Sequence, residues 1–91
     1  MKVDVGCGEN PRKGYTSCDL RPLPGVEIVC KAWELSSKAK DIQAIYSRHM
    51  VEHLTRDEFT KTLQDWLLAL EPGGELHIIC PNLDFHLEQL R

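Results

Sequence analysis

The sequence has no excess of positive charge and no long apolar run. Its 11 lysine and arginine residues are outnumbered by 14 acidic residues, which gives a formal net charge of -3. A basic surface for nucleic acid or for an anionic membrane is therefore not expected. No apolar stretch approaches the roughly 20 residues that cross a bilayer, and acid and glycine within the first ten residues are atypical of a secretory leader. These absences favour a cytoplasmic globular domain.

Closely spaced cysteines are also missing. The four cysteines, Cys7, Cys18, Cys30 and Cys80, include no CxxC pair, and three of them lie in or beside apolar, strand-like segments. This spacing favours reduced, buried thiols over disulfides or a zinc site. No metal site is predicted.

The 91 residues set a limit of one domain, residues 1–91. Short apolar segments bounded by turn residues predict five strands. These strands are predicted at residues 2–5, 15–20, 26–30, 42–47 and 75–80. The pattern indicates an α/β fold with a mostly parallel five-stranded sheet. Because the first two connections are short and show no helical period, one face of the sheet is expected to be thinly covered.

One long helix is predicted over residues 56–70. Thr55 and Glu58 have the spacing of a capping box, and residues 72–74 read Pro-Gly-Gly, which ends the helix. A single helical turn is predicted at residues 36–40 and a short helix after residue 82. Core packing is expected for the apolar stripe of the long helix, which comprises Phe59, Leu63, Trp66, Leu67 and Leu70.

The first predicted strand ends in Gly6-Cys7-Gly8. Glycine lets the backbone approach a ligand closely, and ligands bind at the carboxyl ends of strands in open α/β sheets. Pro11 stands where a dinucleotide fingerprint has its third glycine, and no Gly-Lys-Ser/Thr phosphate loop is present. A nucleoside without a pyrophosphate is therefore favoured. Asp19, at the end of the second strand, is suited to accept hydrogen bonds from ribose hydroxyls; the alternative is a turn-capping role before Arg21.

Four stretches in this order resemble class I S-adenosylmethionine-dependent methyltransferases: residues 4–8, Asp19, residues 45–54 and residues 70–76. The resemblance covers nearly the whole chain. It implies a Rossmann-like three-layer fold reduced to a minimal methyltransferase core. It further implies S-adenosylmethionine as the cofactor and transfer of its methyl group to an acceptor that no motif identifies.

The resemblance also implies roles for individual residues. The glycine-rich turn faces the methionine and ribose of the cofactor, and Asp19 binds the ribose. Ala32 and Trp33 flank the adenine, although Trp33 could equally be a lid on the core. His49 lies near the transferred methyl group and is the candidate general base. The full set of implied cofactor contacts is Asp4, Gly6, Cys7, Gly8, Asp19, Leu20, Ala32, Trp33, Arg48 and His49.

The sequence departs from the family in three respects. Lys31 stands where many members have an acidic residue near the adenine amino group, and lysine cannot accept that hydrogen bond. The helix before the first strand and the two strands after the fifth are not found. The alternative function is therefore a truncated, non-catalytic S-adenosylmethionine-binding module, or a subunit completed by a partner. An open fifth-strand edge predicts a homodimer or a partner subunit at that edge.

Residues 49–53 read His-x-x-Glu-His, which one class of zinc peptidases carries on a long helix. Here the motif precedes the Thr55 cap, and a third ligand would have to come from Glu58, His77 or His86. Local capping bonds for Glu52 and His53 are the favoured interpretation. A metalloprotein is the least favoured of the three functions.

Overall fold

The computed structural model describes residues 1–7, 12–48, 54–80 and 83–88, the last range for its backbone only. A sheet forms its centre, with the strand order β3-β2-β1-β4-β5-β6. The first five strands pair in parallel, and β6 is antiparallel to β5. The predicted α/β fold with a mostly parallel sheet is confirmed. The strands are β1 Lys2–Val5, β2 Thr16–Asp19, β3 Ile28–Val29, β4 Ile42–Arg48, β5 Leu70–Cys80 and β6 Leu83–Glu88.

The prediction of a short helix after residue 82 is wrong. The chain instead returns as β6, whose pairing with β5 runs from Cys80 opposite Leu83 to Glu75 opposite Glu88. An antiparallel strand needs only a short connection, and it satisfies the backbone polar groups along that side of β5. β5 is therefore not an edge of the sheet, so the partner surface predicted there does not lie on this strand. A partner remains a prediction.

Two helices follow β3 and β4. A 3₁₀ helix spans Ala32–Ser37, and the helix α1 spans Arg56–Ala69. The capping box of α1 is confirmed, because Thr55 Oγ1 accepts from the Glu58 N–H at 3.1 Å while Glu58 Oε1 accepts from the Thr55 N–H at 2.9 Å. The short helix begins earlier than predicted. It starts after Lys31, whose N–H donates to Glu34 Oε1 at 3.0 Å.

Four of the five residues predicted for the apolar stripe are in the buried core or pack against it, but the buried face also includes other positions. The four are Phe59, Leu63, Trp66 and Leu70. Trp66 is fully buried as predicted, but Thr62 and Ala69 are also fully buried, whereas Leu67 is 37% exposed. Thr62 can be buried because its hydroxyl donates to the Glu58 carbonyl at 2.8 Å, which satisfies its polar group inside the helix. Counting apolar residues alone does not find such a position.

Both helices pack on the same face of the sheet. Leu35 of the 3₁₀ helix and Trp66 of α1 belong to one buried cluster with Val3 and Val5 of β1. On the opposite face the described residues include no helix. There the side chains of Arg12 and Tyr15 lie against the ring of Tyr46 on β4, and for the described residues this agrees with the expected thin cover. In the described ranges, no helix has the length and apolar character needed to cross a membrane.

Candidate functional site

The carboxyl ends of β1, β2 and β4 meet at one edge of the sheet. Val5, the last residue of β1, is paired with Cys18 of β2 on one side and with Ser47 of β4 on the other. The order of strands reverses at β1, and such a switch point is where open α/β sheets bind ligands. Two clefts open there, and Gly6 lines both of them.

Gly6 makes the turn that separates the two clefts. Its φ angle of 75° lies in the left-handed region that glycine adopts without strain. The Cys18 carbonyl accepts from the Gly6 N–H at 2.8 Å and from the Cys7 N–H at 3.4 Å, which ties the turn to β2. Gly6 and Cys7, two of the predicted cofactor contacts, both line the smaller cleft. Gly8 and His49, also predicted there, lie outside the described residues.

The larger cleft has a volume of about 540 Å³, within the range of about 300–1,000 Å³ that is usual for small-molecule sites. It brings together four of the predicted cofactor contacts, namely Asp19, Leu20, Ala32 and Trp33. Trp33 does not belong to the buried core cluster of the described residues. Of its two predicted roles, the structure therefore supports a wall of the cleft rather than a lid on the core.

Asp19 has the turn-capping role that was predicted as the alternative, and it also lies at the larger cleft. Its Oδ1 accepts from the Arg21 N–H at 3.0 Å and from Arg21 Nε at 3.4 Å, so it does cap the turn after β2. It also lines the larger cleft although it is only 6% exposed. A buried carboxylate held in place by the backbone is a rigid acceptor for hydroxyl groups.

The smaller cleft, of about 260 Å³, places an acid beside two arginines. Asp4 is 5% exposed, and its Oδ2 accepts from the Arg12 N–H at 2.7 Å. Burial raises the pKa of Asp4, while the Arg12 N–H and the charges of Arg12 and Arg48 act against that rise. The Arg12 guanidinium lies 4.4 Å from the centre of the Tyr46 ring. Opposite charges in one small cleft complement a zwitterion.

Cys7 also lines the smaller cleft. Burial is the main cause that raises the pKa of its thiol, and the neighbouring Asp4 carboxylate raises it further. The thiol is therefore neutral at physiological pH and is a poor nucleophile.

Several residues that line the clefts were not predicted as cofactor contacts from sequence, among them Arg12, Tyr46, Leu54 and Glu58. Glu58 was already explained as half of the capping box, so nothing pointed to a second role. Arg12 lies in a loop whose sequence shows no hydrophobic periodicity.

A metal site gains no support from the structure. The described residues contain no group of three or more metal-ligating side chains, and His49, Glu52 and His53 lie outside the described residues.

No protein-family model matches the chain, and no curated protein matches it either. One similar solved structure carries the description "Conversion of a Disulfide Bond into a Thioacetal Group during Echinomycin Biosynthesis". The two chains are 19% identical with a TM-score of 0.68, and the match covers 85% of this chain and 42% of that chain. This chain thus spans less than half the length of that protein. The likeness establishes a Rossmann-like α/β fold.

Proposed function

We propose that this chain is an S-adenosylmethionine-dependent methyltransferase domain of the cytoplasm. The observation that carries the proposal is the pair of clefts on either side of Gly6, one lined by Asp19 and Trp33 and the other by Asp4 with two arginines. S-adenosylmethionine has the same two parts, a nucleoside and a zwitterionic amino acid, joined at one sulfur atom. The resemblance of the sequence motifs supports the same assignment.

The larger cleft suits the adenosine part. Asp19 is placed to accept the ribose hydroxyls, and Trp33 offers an aromatic wall for the base. Lys31 lines the same cleft but cannot accept a hydrogen bond from the adenine amino group. Glu58 on the first turn of α1 lines this cleft too and offers a carboxylate in its place.

The smaller cleft suits the amino-acid part. The buried Asp4 carboxylate would pair with the ammonium group, and the guanidinium groups of Arg12 and Arg48 with the carboxylate. A ligand ammonium would also relieve the cost of burying the Asp4 charge, which burial makes unfavourable in the free protein.

The bound cofactor supplies an electrophilic methyl group on a sulfonium, so the protein contributes mainly alignment. Gly6 lets the backbone come close to the joint between the two ligand parts, and Asp19 and Asp4 fix the two ends. His49 stays the candidate base near the methyl group, and a His49→Ala enzyme with undiminished turnover would exclude it.

A cofactor-binding module without catalysis is the second candidate. The observation that favours it is the pair of clefts itself, which would bind the cofactor with or without transfer of its methyl group. Incubating the protein with methyl-labelled S-adenosylmethionine and a fractionated cell extract separates the two functions. Label in a defined fraction supports transfer, whereas binding without any labelled product supports the module.

Calorimetric titration with S-adenosylhomocysteine tests the ligand assignment. Asp19→Asn keeps an oxygen that can accept from the Arg21 N–H, so it preserves the turn while removing the charge that would hold the ribose. We expect affinity to fall by about tenfold or more, since a hydrogen bond to a charged group contributes about 1.5–3 kcal/mol. The matched control is Asp57→Asn, an exposed acid on α1 outside both clefts. Equal affinities of the two variants would contradict the proposal.

A further inference from the structure

Two of the four cysteines lie together behind the larger cleft. The sulfur atoms of Cys18 and Cys30 are 3.7 Å apart and share a hydrogen bond. Cys18 is fully buried at the end of β2, and Cys30, 7% exposed, follows β3 and lines the cleft. Both are free thiols. Proximity and access through the cleft both favour oxidation of a thiol pair.

We propose that Cys18 and Cys30 are a redox-active pair that closes to an intrachain disulfide under hydrogen peroxide, and that closure disturbs the neighbouring ligand cleft. The disulfide itself does not depend on the proposed function. Only the identity of the ligand whose binding it alters rests on that function.

The geometry leaves little distance to close. A disulfide has its sulfur atoms about 2.0 Å apart, so the two must approach by roughly 1.7 Å. β3 is an edge strand of two residues, and only Ile28 and Val29 pair with β2. A strand held by so few backbone bonds can adjust to such a movement.

The two thiols differ in their electrostatics. The hydrogen bond from Cys18 lowers the pKa of Cys30, and the same bond raises the pKa of Cys18. Lys38 acts in the same direction on Cys30. Cys30 also lines the cleft, whereas Cys18 is fully buried, so peroxide reaches Cys30 first and Cys30 is the nucleophile.

The reaction proceeds in two balanced steps. The Cys30 thiolate attacks peroxide, so that an S–O bond forms, the O–O bond breaks, and hydroxide leaves and takes up a proton as water. The Cys18 sulfur then attacks the Cys30 sulfenic acid; the S–S bond forms, the S–O bond breaks, and the departing hydroxide takes the Cys18 proton. Two thiols are oxidised to one disulfide, and one peroxide is reduced to two water molecules.

Formation of the disulfide would affect the cleft through backbone hydrogen bonds. The Cys18 carbonyl holds the Gly6 turn at 2.8 Å, and the Asp19 carbonyl accepts from the Cys30 N–H at 3.2 Å. Movement of either cysteine therefore displaces the turn or the carboxylate on which ligand binding depends. We expect the oxidised protein to bind S-adenosylhomocysteine at least tenfold more weakly than the reduced protein.

Peptide mapping tests the pair directly. Trypsin does not cleave before proline, so the Arg21–Pro22 bond survives, and residues 14–31 form one peptide with Cys18 and Cys30 as its only cysteines. After peroxide treatment and alkylation, we expect this peptide unlabelled and lighter by two hydrogen atoms, with recovery of both labels after reduction. The Cys80→Ser variant should form the disulfide equally well, and the Cys30→Ser variant should not form it. The proposed disulfide would be contradicted if this peptide carried two alkyl labels after peroxide treatment, or if the disulfide formed included Cys7.

Two further measurements test the effect on the cleft. Amide hydrogen exchange of residues 3–7 and 17–21 should be faster in the oxidised protein, and calorimetry should show the weaker affinity. If the disulfide forms but amide hydrogen exchange is unchanged, the proposed effect on the cleft is wrong. The same holds if the affinity for S-adenosylhomocysteine changes less than twofold. If the reduced protein does not bind S-adenosylhomocysteine, the proposed function fails, while mapping and exchange still decide on the redox pair.

Discussion

Burial makes the charged form of Asp4 unfavourable in the folded protein. Its carboxylate is 5% exposed, and burial outweighs the favourable charges of Arg12 and Arg48, so the pKa lies above its ordinary value of 3.8. A group of this kind makes the folded state bind a proton more tightly than the unfolded chain does. Its stabilising contribution is fully present below the unfolded pKa and is lost as the pH rises through the folded pKa.

Asp4→Asn should therefore gain stability relative to the wild type as the pH increases. The amide oxygen still accepts from the Arg12 N–H, but the side chain does not ionise. The difference in unfolding free energy should move in favour of the variant from about pH 3.8 upwards and level off above the raised pKa. Urea unfolding at a series of pH values measures it, with Asp57→Asn as a surface control. A difference independent of pH would contradict the burial of this charge.

Gly74 is required for steric reasons. A Cβ at this position would lie 2.9 Å from the Glu71 carbonyl oxygen and 3.0 Å from that of Ile42, and neither backbone atom can move easily. We expect Gly74→Ala to cost about 3 kcal/mol of unfolding free energy, at the upper end for overpacking. Gly25→Ala is the control, because its φ of +84° is strained but its surroundings are open, and it should cost about 1 kcal/mol. Equal costs in urea unfolding would contradict this explanation.

Among the elements, α1 positions the wall of the larger cleft through the 3₁₀ helix. Trp66 Nε1 donates to the Ala32 carbonyl at 2.8 Å, and Asp65 accepts from the Ser36 N–H at 3.0 Å and from its hydroxyl. Ala32 lines the cleft, and Trp33 follows it. The helix in the core and the proposed adenine wall are thus parts of one hydrogen-bonded unit.

Trp66→Phe tests this connection. The variant keeps an aromatic ring but leaves a small cavity and removes the indole donor to the Ala32 carbonyl, so we expect a loss of about 2–4 kcal/mol of stability. Binding of S-adenosylhomocysteine should weaken as well, because the wall loses its support. Leu68→Ala on the same helix is 74% exposed in the wild type and should stay within about 0.5 kcal/mol. Unchanged affinity in a folded Trp66→Phe protein would separate the helix from the cleft.

Only those features that are determined by residues near one another in the sequence could be predicted from it. The capping box of Thr55 and Glu58, the first strand and the α/β class depend on neighbouring residues, and all were predicted correctly. β6 was not, because its apolar residues fit a helix as well as a strand, and pairing with β5 decides between them. Arg12 was missed for a similar reason, since only the fold brings this loop residue to Asp4 and Tyr46.

At the scale of the whole molecule, the proposed function predicts that the two clefts contribute separately to ligand binding. A ligand that binds only the folded state stabilises it by about 2.7 kcal/mol at a hundredfold excess over Kd. For a domain of this size that corresponds to a rise in Tm of roughly 10–20 °C. We expect this rise with S-adenosylhomocysteine, measured by thermal unfolding, and a smaller one with adenosine, which fills only the larger cleft.

The rise in Tm with each ligand should depend on which cleft a substitution alters. Asp19→Asn should reduce the rise in Tm with both ligands, because the ribose is common to them. Arg12→Gln should reduce the rise with S-adenosylhomocysteine and leave the response to adenosine unchanged, since Arg12 lines only the smaller cleft. If Arg12→Gln lowers both responses equally, the smaller cleft does not bind the amino-acid part. If neither ligand raises Tm at millimolar concentration, the assignment of both clefts is wrong.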